Sequence, residues 1–251
     1  MSNHLLPCRL CGEQKKLIKA HIIPKQYYRR IIPKGAKPHL LKFEVDDIAN
    51  ESITQSGIYQ DDLLCADCDN QIGQYDKYAY EVLARQIDEK KLQTYAKGLQ
   101  VYEIGEIRVD TFRLFLVSLA WRAGIARDPM FKLVRLGVYE ERLKQILQGK
   151  KSDLLDSITA VIVLFRPPKY PDIMWSPFCS KMDGINLATF YLPPWKILLK
   201  LDRRPFGHPF DKFALAVGKP AHAAVHDFWS IGEFNLLCDF QKKSRIAAGL
   251  D

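Results

Sequence analysis

The chain has 251 residues, 47% of them hydrophobic and 26% charged, and its 37 Lys and Arg against 29 Asp and Glu give a formal charge of +8. These proportions belong to an ordinary folded protein and exclude a disordered, collagen-like or coiled-coil chain. No apolar run approaches the ~18 residues a membrane helix needs, and residues 1–10 carry no basic-then-apolar leader, so a soluble, cytoplasmic protein with an anionic partner is expected.

The first feature along the chain is Cys8-Arg-Leu-Cys11, followed by Gly12, where a glycine helps a tight turn fold back on itself. The apolar residues of 17–24 predict a short strand with His21 near its end and Pro24 breaking it. A second pair, Cys65-Ala-Asp-Cys68, opens a helix predicted over 69–95. Ile72, Tyr75, Ala79, Val82, Leu83 and Ile87 recur there at three- and four-residue steps, and Gly98 would stop the helix. Residues 1–98 and 99–251 thus read as two parts.

In the second part, Asp110 or Thr111 can cap a helix whose Phe112, Phe115, Leu116, Leu119 and Ala120 leave few polar positions, so burial on most sides is expected. Trp121 is read as core and Arg122 as a surface ion pair. Asp128-Pro129 can start another helix, and residues 139–147 predict a short amphipathic one closed by Gly149. Beyond 150 the pattern turns to strands at 158–165, 185–192 and 196–201, separated by prolines. The tail, 213–250, fits strand or helix, and the strands cannot be ordered from sequence. The class is α+β.

Two Cys-x-x-Cys knuckles, Cys8 with Cys11 and Cys65 with Cys68, supply the four thiolates of a tetrahedral structural zinc site. A thioredoxin-type redox dithiol would need one pair inside an α/β unit, and no parallel-sheet pattern surrounds either. Cys179 and Cys238 are isolated and read as small buried hydrophobes. The 53 residues between the knuckles exceed what a compact zinc ribbon needs, so a further element is expected there.

The net charge is unevenly spread. Residues 1–42 carry +9, residues 43–79 carry −8, and the remainder +7. The basic segment surrounds His21 and mixes Lys19, Lys25, Arg29 and Arg30 with Tyr27 and Tyr28, a composition suited to phosphate contact and base stacking. Lys19, Lys25, Tyr28, Arg29 and Arg30 are therefore the expected nucleic-acid contacts. His222 and His226 stand four apart but lack the glutamate of a zinc-protease motif, and are read as ordinary histidines.

Taken together, Cys-x-x-Cys, a strand bearing Ala20-His21-Ile22-Ile23-Pro24, and Leu64-Cys65-x-x-Cys68 followed by Asp69-Asn70 on a helix resemble the HNH endonuclease superfamily. The resemblance covers roughly the first 95 residues. It implies an N-terminal zinc-braced, treble-clef-like ββα-metal finger ahead of a mixed helix and short-strand domain. It also implies metal-dependent hydrolysis of phosphodiester bonds in DNA, or in RNA, within bacterial defence or a mobile element. A looser likeness, a Trp-Arg-containing helix downstream, falls on Trp121 and Arg122.

By position, His21 takes the general-base place, for which an imidazole of pKa near ~6.5 is suited. Asn70 matches an asparagine often found after the second knuckle. A ligand for catalytic Mg2+ or Mn2+ falls on Asp69, and Asp76, two helical turns on, projects from nearly the same face. The helix dipole alone also accounts for an acid at Asp69. Where the family often has Asp or His before the catalytic histidine, this chain has Ala20, which cannot coordinate. That departure favours the alternative of a non-catalytic zinc finger that binds nucleic acid or acts as a protein adaptor. Residues 99–251 are expected to bind a partner protein or position substrate.

Overall fold

The computed structural model describes residues 5–30, 40–44, 47–54, 57–84, 87–95, 98–150, 155–166 and 173–227. The strand patterns beyond residue 150 resolve into β9 (Thr159–Arg166), β11 (Phe178–Met182), β12 (Ile185–Leu192), β13 (Trp195–Lys200) and β14 (Ala221–Asp227). With β8 (Gln100–Gly105) and β7 (Leu92–Thr94) they form a seven-stranded sheet in the order β11-β12-β13-β9-β14-β8-β7. Every pairing in it is antiparallel except β14 with β9.

Because successive side chains of a strand point to opposite faces, each strand contributes to two layers. Ala160, Ile162 and Leu164 of β9, Ala188, Phe190 and Leu192 of β12, and Trp195, Ile197 and Leu199 of β13 join the main core. On the other face Val161 joins Ile185, Leu187 and Phe206 in one smaller cluster, and Val163 and Phe165 join Tyr191 in another.

Helices supply the rest of the main core. Of the 17 residues of α3 (Val109–Ile125), 12 are buried, in keeping with its scarcity of polar positions. It packs against α2 (Ala66–Leu83) and α4 (Tyr139–Leu147). Each fully buried Phe or Leu there contributes about 1.5–3 kcal/mol.

The segment ahead of α2 holds the β1/β2 pair (Leu6–Pro7, Gln14–Lys15), β3 (Leu17–His21), the short helix α1 (Lys25–Arg30), β4 (Leu40–Glu44), β5 (Asp47–Thr54) and β6 (Tyr59–Cys65). β3 pairs antiparallel with β6, and β4 is flanked by β5 and by β10 (Ile173–Met174). From β2 to β6, these strands and α1 occupy the described part of the interval between the knuckles.

Several expectations are corrected. The first long helix ends at Leu83, not Tyr95. The Trp195 indole N–H donates to the Leu83 carbonyl at 2.7 Å, and residues 92–94 pair with β8 instead of continuing the helix. Gly98, at φ 76°, belongs to that hairpin turn. Asp128-Pro129 begins only a one-turn 3-10 helix, capped by the Asp128 carboxylate. Arg108 occupies the N-cap position of α3, with no side-chain cap. His222 and His226 lie on β14. Cys238 falls outside the described residues, whereas Cys179 is a half-buried free thiol on β11.

Nor does packing break at residue 98. One core cluster runs from Cys8 through Leu83 and α3 to Ala223. Gln71 Nε2 donates to the Leu147 carbonyl at 3.1 Å, and Gln148 Nε2 reaches the Leu10 carbonyl. The two parts read from sequence therefore share their interior. Among the described residues no helix is long and apolar enough to cross a membrane.

Candidate metal centre and the surface around His21

The first knuckle is a turn between β1 and β2. Gly12 N–H donates to the Cys8 carbonyl at 2.8 Å and Cys8 N–H to Glu13 at 2.9 Å, with Gly12 at φ 83°, a backbone conformation that favours glycine. The second knuckle is the junction of β6 and α2, where Cys65 takes the N-cap position. Arg9 N–H donates to the Leu63 carbonyl at 2.9 Å and brings the two turns together.

Cys8, Cys11, Cys65 and Cys68 consequently place their sulfurs within 4.8 Å of one another. Four thiolates held tetrahedrally at about 2.3 Å from one ion stand about 3.8 Å apart, so the donor set fits Zn2+. The Cys11 and Cys65 sulfurs are 4.0 Å apart. Cys8, Cys65 and Cys68 are buried and Cys11 is exposed.

Backbone polarity favours thiolate at one of them. Burial raises the Cys8 pKa, but N–H groups of Cys11, Cys65 and Leu10 outweigh it and bring it down to about 7. Cys65 N–H reaches the Cys8 sulfur at 3.4 Å. Burial and the neighbouring thiols push Cys68 up, and burial raises Cys11. Four crowded thiols cannot all ionise without a cation to balance them, which is the condition a bound metal ion meets. Lys15 ties the knuckle to the first turn of α2 from outside, 2.7 Å from Glu13 and 2.9 Å from Asp67.

β3 runs from Leu17, which pairs with Cys65, to His21 at its other end. Ala20 points into the core and is fully buried, while Lys19 and His21 occupy the other face of the strand. Across the pairing with β6, His21 stands opposite Tyr59, with ring centroids 6.0 Å apart at 60°. Lys19 Nζ lies 5.0 Å from the centre of the Tyr59 ring, which is 44% exposed. An imidazole, an ammonium and an accessible aromatic face are thus side by side.

The two aspartates of α2 expected as metal ligands, Asp69 and Asp76, part company. Asp69 is half-buried, and burial raises its pKa while the charges of Arg122 and His21 oppose the rise. Asp76 lies on the buried stripe formed by Cys68, Ile72, Ala79 and Leu83. Its carboxylate accepts from Arg122 Nη1 at 2.9 Å and Nη2 at 2.7 Å. Burial raises its pKa too, with Arg122 pulling the other way. A carboxylate so engaged is not an open metal donor, which corrects the expectation for Asp76. Arg122 is correspondingly a buried cation, not a surface ion pair.

Of the expected nucleic-acid contacts, Lys19 and Arg29 are exposed, Lys25 is half-buried, and the Arg30 side chain lies outside the described residues. Tyr28 is corrected: it is 1% exposed, and burial raises its pKa. Its ring packs on Gly57, where a Cβ would fall 2.4 Å from the ring. No base can stack there. Asn70 is exposed one residue after Asp69.

Sequence reasoning missed Tyr59, whose place depends on the β3/β6 register, and the inward role of Arg122. The latter had a signal in an arginine set among Leu119, Ala120, Trp121 and Ala123.

No protein-family model matches the chain, and neither curated proteins nor solved structures give a match.

Proposed function

We propose that the chain is an HNH-type endonuclease that hydrolyses phosphodiester bonds in DNA, with RNA as the alternative substrate. In this reading the knuckle, the β3/β6 pair and α2 form a treble-clef-like ββα-metal finger braced by zinc. The observation that carries the reading is the position of His21: it ends the strand paired to β6, within electrostatic reach of Asp69, which follows the second knuckle at the start of α2.

His21 would take the proton of an attacking water while its oxygen bonds to phosphorus. The P–O3′ bond then breaks, leaving a 5′-phosphate and a 3′-hydroxyl whose proton comes from solvent. Lys19 supplies positive charge beside the phosphate, and Tyr59 a face for an adjacent base. With Asp76 engaged by Arg122, Asp69 is the protein carboxylate left for Mg2+ or Mn2+, ions commonly held by one or two carboxylates together with substrate phosphates. Such an ion would neutralise charge developing on the phosphate oxygens.

A second reading, a non-catalytic zinc finger that binds nucleic acid or a partner protein, is favoured by two facts. Ala20 is buried with no ligand to offer, and Asp76 is already paired. A plasmid-nicking assay with Mg2+, Mn2+ or chelator, comparing wild type with His21→Ala, separates the two. Metal-dependent nicking lost in the variant supports the nuclease, and salt-sensitive binding without nicking in any divalent metal supports the second reading. Nicking by His21→Ala rejects the general-base assignment.

A further inference from the structure

We infer that Arg122, which lies on α3 outside the finger, is a positioning residue for the His21 site. The inference rests on the endonuclease reading for its consequence in catalysis, but on geometry alone for the placement of His21.

The Arg122 side chain is 2% exposed, and its contacts match the donor capacity of a guanidinium. Nη1 donates to the backbone carbonyl of His21 at 2.9 Å and to one Asp76 oxygen at 2.9 Å. Nη2 donates to the other Asp76 oxygen at 2.7 Å and to Ser118 Oγ at 3.4 Å, and Nε to the Ser118 carbonyl at 3.3 Å. One planar group thus joins the end of β3, the middle of α2 and α3.

The contact to β3 falls on the peptide of His21 itself. The imidazole hangs from that peptide, and Asp69 projects from the same helix as Asp76, seven residues before it. Arg122 therefore sets the distance between the strand that carries the imidazole and the helix that carries Asp69. Lysine could keep the buried positive charge but not the flat fork that reaches both partners.

The full-length Arg122→Lys protein tests this, with zinc content and the amide NMR spectrum reporting the fold. The expected result is one zinc per chain, amide signals unchanged away from the site, and a displaced His21 imidazole Cε1–H resonance. On an oligonucleotide substrate kcat should fall about ten- to a hundred-fold while KM changes little, as a shift of about 1 Å in a reacting group predicts. A merely structural residue would lower stability without moving the His21 resonance or splitting kcat from KM. Should Arg122→Lys lose zinc, Asp76→Asn, which keeps the shape and one acceptor oxygen, takes its place with the same readouts.

An unmoved His21 resonance in a folded variant overturns the inference, whatever the cleavage assay reports. A displaced resonance in a protein whose wild type cuts neither DNA nor RNA with any divalent metal upholds the positioning and defeats the endonuclease reading instead.

Discussion

Lys19 holds its ammonium 5.0 Å from the centre of the Tyr59 ring, although 40 residues separate them in sequence. The antiparallel register of β3 and β6 makes the contact, and it leaves the outer face of the ring to solvent next to His21. A nucleic acid crossing His21 would meet charge and an aromatic surface together.

Tyr59→Ala should therefore weaken binding of a single-stranded oligonucleotide by about 1–3 kcal/mol, roughly five- to 150-fold in Kd. Lys19→Ala should reduce the slope of log K against log salt by about one. Tyr28→Phe, at a buried ring, should leave both unchanged. Fluorescence anisotropy across a salt series measures all three, and an unaltered Kd for Tyr59→Ala would remove the stacking face from the site.

The four-cysteine cluster makes its own prediction. Elemental analysis after purification under reducing conditions without chelator should find one zinc per chain, and Cys68→Ser should lose it. Structural zinc sites of this type contribute about 10 kcal/mol or more to folding, so chelation should unfold the β1/β2 turn and the start of α2. Protons compete with the metal for thiolates, and zinc should leave as pH falls. Zinc-free protein with an unchanged melting temperature would contradict the assignment.

How much of this was legible in the sequence depended on how local each signal is. The knuckles, α4 at residues 139–147 and β12 at 185–192 follow from spacing and periodicity within a short window, and the structure has α4 and β12 with those bounds. The end of α2 was not local: the bond from Trp195 reaches back 112 residues to Leu83. Asp76 and Arg122 illustrate a middle case. Each is a charge within an apolar stripe, a signal used for Asp76 and passed over for Arg122, and neither stripe alone names its partner. Tyr28 is expected at the surface and Tyr59 is passed over because composition counts aromatics without saying which face of an element they occupy. Helix α1 turns Tyr27 and Tyr28 inward, while β6 leaves Tyr59 outside.

Buried ion pairs are asymmetric: removing one member strands the other charge, whereas replacing both with apolar groups of similar size is often neutral. Asp76→Leu and Arg122→Met should each cost about 3–5 kcal/mol alone, and the double variant Asp76→Leu, Arg122→Met much less. Urea unfolding of the singles and the double forms the thermodynamic cycle. Simple addition of the two single costs would mean that the pair is not coupled in the folded protein.

Asp202 provides a pH test well away from the finger. Its carboxylate accepts from Asn186 N–H at 2.8 Å, Asn186 Nδ2 at 3.2 Å, Arg204 N–H at 3.0 Å and Arg204 Nη2 at 2.6 Å. Burial raises its pKa, but Arg204 and these donors outweigh burial and hold it below the ordinary value. A depressed folded pKa means that the ionised group favours the folded state. The contribution is complete above the unfolded value near ~3.9 and disappears as pH falls through the folded one. Asp202→Asn should accordingly destabilise the protein by about 1–2 kcal/mol at pH 7, where charge-assisted hydrogen bonds are lost. The gap between wild type and variant should narrow below about pH 4, because protonation there removes the same charge from the wild type. Urea midpoints measured at pH 7 and pH 3 give the comparison, and an equal gap at both would mean that the carboxylate charge plays no part in holding β12 to the turn that follows β13.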